Sequence, residues 1–174
     1  TFSALSDSIC TNAQIDVVSD ITFTAVITIS GKTNVKISSS TGAVLTSDRS
    51  FSNNNGGMFY IDSSSNVTFT GLGFTSGSAS YQGGCLYVTG SSTVKTENVD
   101  FTSCYASSGY GNRRGGAMYV SSSTVTVSST SFTSCSATLG NDMYLSGGSL
   151  TCTAGCNEAG MYMPSGNCTS PVAA

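Results

Sequence analysis

Along most of the chain, apolar and polar residues alternate in short bursts separated by clusters of Ser, Gly and Asn. Phe59-Tyr60-Ile61, Leu86-Tyr87-Val88, Met118-Tyr119-Val120 and Met143-Tyr144-Leu145 are four versions of one burst. A period of two marks a strand with one buried face, so the aliphatic positions point inward and the tyrosines outward. Each burst follows a glycine corner that starts at Gly56, Gly83, Gly115 or Gly140, at steps of 27, 32 and 25 residues. Recurrence of this kind is the mark of a repeat architecture.

Within each step the same two further bursts return. One places Val67, Val94, Val125 and Leu150 inward, followed by Phe69, Thr96, Val127 and Cys152. The other places Leu72, Val99 and Thr130 inward, followed by Phe74, Phe101 and Phe132. The segments between them are too short for helical crossovers. A repeat of this size with three short strands cannot bury a core alone, but coiled repeats stack like residues at the strand spacing. The pattern therefore predicts an all-β fold, a parallel β-helix or β-solenoid of about five coils with three strands each. Residues 1–150 form the solenoid, with residues 1–13 as a cap over its open end. Residues 151–174 form a Cys-rich terminal cap or the start of a following module.

Phe101, Phe132, Gly115, Gly116 and Ala117, within "FTSCYASSGYGNRRGGAMYV" and "FTSCSATLGNDMYL", carry a resemblance. The repeats resemble those of chlamydial polymorphic outer-membrane proteins, in which a Phe-containing box precedes a Gly-Gly-Ala-aliphatic box. The N-terminal part resembles the entrance of right-handed β-helices of the pectate-lyase-like superfamily. The tail "CTAGCNEAGMYMPSGNC" resembles the start of small Cys-rich, ephrin-receptor-like modules. These resemblances imply a right-handed solenoid with a surface or adhesive role in a longer protein.

Composition narrows the function. Only 9% of the 174 residues are charged, against roughly 25% in an average soluble domain. A net charge of -3 offers no basic face for nucleic acid. No apolar run approaches the ~18 residues of a membrane helix. Seven cysteines and two Asn-x-Thr acceptor sites, Asn66 and Asn167, point to a secreted or cell-surface setting. The expected partners are copies of the chain itself, other extracellular proteins, or glycans.

Cys104 and Cys135 occupy one column a coil apart, which places them in the Cα range of a disulfide, about 4.4 to 6.8 Å. A bond between them is expected, with a pair of reduced, buried thiols as the alternative. In the tail, Cys156–Cys168 is the expected pair, while Cys10, Cys85 and Cys152 have no evident partners. An odd count leaves at least one thiol over. No metal site is expected, because no His or second Cys pair completes a tetrahedral set.

The chain has no His, which removes Ser-His-Asp and Cys-His arrangements. Asp62, Lys95, Glu97, Asp100 and Asp142 are spread among hydroxyl and glycine neighbours, so neither a calcium site nor an acid/base pair is expected. The expectation is a non-catalytic structural or adhesive module without cofactor. Surface for a partner is sought in Tyr60, Tyr87, Tyr119 and Tyr144, read as an exposed ladder, with Tyr162 as a further rung. Arg113 and Arg114, in the longest connection, read as an exposed contact point. The competing reading is ice or carbohydrate binding through outward threonines: Thr75, Thr102 and Thr133 in one file, Thr68, Thr126 and Thr151 in another. A polysaccharide lyase or hydrolase ranks last.

Overall fold

The computed structural model describes residues 1–48, 53–107, 113–154, 161–162 and 167–169. The chain is a parallel β-solenoid of about four turns, close to the five expected. Three long walls run along it. The first stacks Ile27–Ser30, Phe59–Asp62, Leu86–Val88 and the leading parts of Met118–Ser128 and Met143–Ala154, followed by Met161–Tyr162. The second stacks Gln14–Asp16, Val35–Ser38, Asn66–Thr70, Thr93–Glu97, the trailing parts of the same two long strands, and Asn167–Thr169. The third stacks Ile21–Phe23, Val44–Ser47, Gly73–Thr75, Asp100–Thr102 and Ser131–Thr133.

A fourth, shorter wall joins Asn53–Asn55, Ser78–Gln82 and Tyr105–Ala106, continued by single bridges from Gln82 through Arg114 to Leu139. Three strands per repeat was the sequence expectation. Ser78-Ala79-Ser80-Tyr81-Gln82 has no alternation to betray a strand; its backbone pairs because the glycine corner on either side brings successive turns together.

The inward files follow the alternation. Leu86, Val88, Val94, Val99 and Phe101 are buried, as are their counterparts Phe59, Ile61, Val67, Leu72 and Phe74 in the preceding turn. Phe23, Phe59, Phe74, Phe101 and Phe132 form a chain of ring contacts at 4.9 to 6.1 Å, the last two pairs stacked and the others edge-on. Such pairs add to the gain from area burial alone. At the N-terminal end the helix Phe2–Asp7 lies over the first turn. Thr1 caps it by accepting from the Ala4 N–H, Leu5 is buried, and Phe2 meets Phe23 edge-on at 5.2 Å.

Two details explain how turns can stack so closely. The second glycine of each corner, Gly57, Gly84 or Gly116, lies where a Cβ would stand 2.0 to 2.1 Å from a carbonyl oxygen of the next turn. Any side chain there would force the turns apart. At the corner between the first and second walls, Ser65, Ser92 and Ser123 are buried and form a ladder. The Ser92 hydroxyl accepts from the Ser65 N–H at 3.1 Å, and the Ser123 hydroxyl from the Ser92 N–H at 3.1 Å. These buried donors, which also reach the Asp62 and Thr89 carbonyls of their own turns at 3.2 and 3.3 Å, are thereby paired from turn to turn as well.

Candidate functional site

The cysteine arrangement departs from the expectation. Cys104 is bonded to Cys85, with Cα atoms 5.7 Å apart, and not to Cys135; Cys135 is a buried free thiol and Cys10 an exposed one. Side chains stacked in one file point in parallel, whereas a disulfide needs Cβ atoms about 3.8 Å apart and aimed at each other. Cys85 opens a turn and Cys104 closes its third wall, so the two face one another across the corner of the same turn. Their counterparts one turn earlier are Met58 and Gly77, where a Cβ on Gly77 would lie 2.3 Å from the Cys85 Sγ. One turn later they are Ala117 and Cys135. Burial pushes the Cys135 thiol up to about 11, so it rests protonated, its Sγ 3.6 Å from the Phe101 carbonyl. Cys152 is also disulfide-bonded. The expected Cys156–Cys168 pair lies outside the described residues.

The tyrosines do form a ladder. Tyr60, Tyr87, Tyr119 and Tyr144 are in register, with successive centroids at 4.9, 5.0 and 5.5 Å and planes within 13° of parallel. The Tyr162 backbone continues the register, while its side chain lies outside the described residues. The ladder is not the exposed platform expected, since Tyr119 and Tyr144 are each only 5% exposed. Each ring takes the face of its neighbour, and the Arg114 guanidinium lies over Tyr144, 5.0 Å from the centroid. Burial, reinforced by the neighbouring phenols, pushes the Tyr87 hydroxyl up to about 12.

The two arginines part company. Arg113 is exposed, as expected. Arg114 is half-buried, paired through its backbone with Gln82 and Leu139 in the fourth wall. It belongs to the solenoid and covers the ladder. Residues 108–112 of that connection lie outside the described residues.

The threonine files stand outward in register. Thr75, Thr102 and Thr133 are preceded by Thr22 and Thr46, giving five threonines in unbroken succession on the third wall. The two early members escape a reading of the sequence because their turns lack the glycine corner that aligns the others. On the second wall Thr68, Lys95, Thr126 and Thr151 form a file. Lys95 donates to Glu97 at 2.6 Å and holds that carboxyl below its ordinary range. Asn66 is exposed at the start of its strand; the Asn167 side chain lies outside the described residues.

Of the other charged residues, Asp100 accepts a hydrogen bond from Ser131, and desolvation raises Asp142, which also helps to raise Cys135. Among the described residues no three His, Cys, Asp or Glu side chains are grouped to hold a metal ion. Nor is any described helix long and apolar enough to cross a membrane.

Fold and surface together define a stacked, disulfide-bearing parallel β-solenoid with ordered hydroxyl files. No family model, curated protein or solved structure matches the chain.

Proposed function

We propose that the chain is a non-catalytic structural or adhesive module of an extracellular assembly. The observation that carries this reading is the in-register stacking from turn to turn, in which the tyrosines, Arg114 and most large apolar groups are engaged with the solenoid itself. Such a molecule is a stiff spacer with a polar, sparsely charged surface. The Cys85–Cys104 bond suits an oxidising compartment, and exposed Asn66 suits a glycan acceptor. The likeness of the repeats to those of chlamydial surface proteins, within a pectate-lyase-like right-handed helix, agrees with a surface role without fixing it. Sedimentation of the chain as its source produces it tests this reading. Self-association, or a stable complex with another extracellular component, is expected. A strict monomer at all concentrations, without glycan or partner, would contradict it.

Contact with ice is the second reading, favoured by the five-threonine file from Thr22 to Thr133. The flanking file of Val44, Gly73, Asp100 and Ser131 breaks the regularity one step away. A thermal-hysteresis assay decides it: crystal shaping at high protein concentration supports it, and its absence removes it.

A further inference from the structure

One glycine, Gly73, is crowded only lightly, by a side chain of the preceding turn. Gly57, Gly84 and Gly116 are required by the backbone of the next turn, and Gly77 by the Cys85 sulfur. Gly73 opens the strand Gly73–Thr75 with no positive φ. The three atoms nearest a Cβ there would all belong to Val44, two methyls at 3.3 and 3.6 Å and the Cα at 3.7 Å, so the nearer methyl would have to give way by a few tenths of an ångström. With no side chain of its own, Gly73 leaves the outer face of the wall open at the strand's start.

Its position supplies the second observation. Gly73 is the gap in an outward file whose other members are Val44 before it and Asp100 after it. At the corner just before Gly73 in the same turn stands Gly71, whose counterpart in the next turn is Asn98, both with left-handed backbone, at φ of 65° and 50°. One turn of the solenoid thus lacks both outward side chains that its neighbours have. The result is a trench across the third wall of about 430 Å³, within the range of small-ligand sites, about 300 to 1,000 Å³. Its open width, from the Val44 turn to the Asp100 turn, is two strand spacings, about 9.6 Å.

The lining selects the ligand. Val44 and the glycine backbone give a low apolar floor and wall. Thr75, Thr102, Asn98 and Asp100 give hydroxyl, amide and carboxylate groups on the other side. Asp100 is held by its bond from Ser131. Among the described residues no cation lines the trench, so an anionic ligand would meet Asp100 uncompensated. An entirely apolar ligand would leave these polar groups to be dried without partners. What fits is a flat molecule with hydroxyls on its edges and C–H groups on its faces.

From this geometry we infer that the trench at Gly73 is a binding site for a neutral saccharide, whose vicinal hydroxyls meet Asp100 and Asn98 while a ring face lies on Val44 and Gly73. The site lies on the outer face of the third wall, away from the tyrosine ladder, and its binding groups, Val44, Gly73, Asn98 and Asp100, are not among the inward groups stacked in the core, so binding there and the structural role can fail independently.

The test is an amide NMR titration of the full chain with neutral β-linked hexasaccharides of glucose, mannose and galactose, and with a galacturonate hexasaccharide as the anionic comparison. At least one neutral probe is expected to shift the amides of Gly71, Gly73, Asn98 and Asp100. Gly73→Gln, which fills the trench, is expected to weaken binding at least about tenfold, and Asp100→Ala to weaken it as well. Gly73→Ala, with its smaller intrusion, checks that any loss does not come from unfolding. Its spectrum is expected to match the parent away from the trench. The inference is overturned if no neutral probe moves those amides, if Gly73→Gln binds as well as the parent, or if galacturonate binds as tightly as the neutral probes.

Discussion

Cys85 and Cys104 are joined across one turn of the solenoid, and the same two positions one turn later hold Ala117 and the free thiol of Cys135. The register that stacks Leu86 on Met118 and Phe101 on Phe132 carries the geometry from one turn to the next. Ala117→Cys is therefore expected to form a second disulfide with Cys135. Intact mass would show Cys135 protected from alkylation, and stability would rise by about 3 kcal/mol for a loop of this size. An introduced thiol that stays reduced alongside Cys135 in oxidising buffer would show that the turns differ at this corner.

The buried hydroxyls of Thr96 and Thr130 lie 2.9 Å apart, and Thr130 donates to the Ser128 carbonyl at 3.1 Å, leaving Thr96 as the donor within the pair. Thr130→Val strands the Thr96 hydroxyl in the core and is expected to cost about 1 to 3 kcal/mol. Replacing both by Val removes donor and acceptor together and is expected to be near neutral. Urea unfolding of the two singles and the double measures the coupling; simple additivity would mean the hydroxyls are not paired.

The serine ladder predicts a backbone effect from a surface-like residue. Ser92→Ala removes one of the two acceptors of the Ser65 N–H, leaving the Asp62 carbonyl at 3.2 Å, and is expected to cost about 0.5 to 1.5 kcal/mol. Ser91→Ala, one residue away and exposed, exchanges a left-handed Ser without touching the ladder. Hydrogen exchange at Ser65 separates the two: it should accelerate in Ser92→Ala beyond the global change, and not in Ser91→Ala.

Alkaline pH should destabilise the fold. Tyr87 and Cys135 hold their protons more tightly folded than unfolded, at about 12 and about 11 against about 10 and 8.5 to 9 in the open chain. Above the unfolded values the unfolded chain has released protons that the folded chain retains, so stability falls with rising pH until the folded values are passed. With respect to these groups, stability is at its plateau below about pH 8.5 and declines from there to about pH 12. Tyr87→Phe should remove the later part of the decline. A thermal midpoint that stays flat through this window would contradict the burial of both groups.

Arg114→Ala should cost more than Arg113→Ala. The first uncovers Tyr144 and loses a cation–π contact, at about 0.5 to 2 kcal/mol; the second changes an exposed side chain and should stay within about 0.5 kcal/mol. Equal effects in thermal unfolding would place both in the loop.

The inward files are legible because each is written twice over, by alternation within a strand and by recurrence between turns. Phe74, Phe101 and Phe132 announce both. Where only one of these signals exists, reading fails. Thr22 and Thr46 alternate but lack the glycine corner, so the recurrence shows only part of the long threonine file. Ser65, Ser92 and Ser123 recur two residues before Val67, Val94 and Val125, a signal present in the sequence but masked by the many other serines. Pairing Cys104 with Cys135 mistakes recurrence for contact. Contact instead joins facing positions of one turn, which no column alignment displays. Tyr144 is covered in addition by Arg114, whose backbone bridges lie outside any alternating segment. The trench is hidden for the opposite reason: it is made by what Gly71 and Gly73 lack.

The most direct test of the account is disulfide mapping of the chain alkylated at the moment of harvest from its source, followed by peptide mass spectrometry. The predicted result is a Cys85–Cys104 link already formed, with Cys135 recovered as a free thiol once unfolded, as a structural module of the extracellular space requires. Alkylation of Cys85 and Cys104 as reduced thiols, or recovery of a Cys104–Cys135 link, would contradict it.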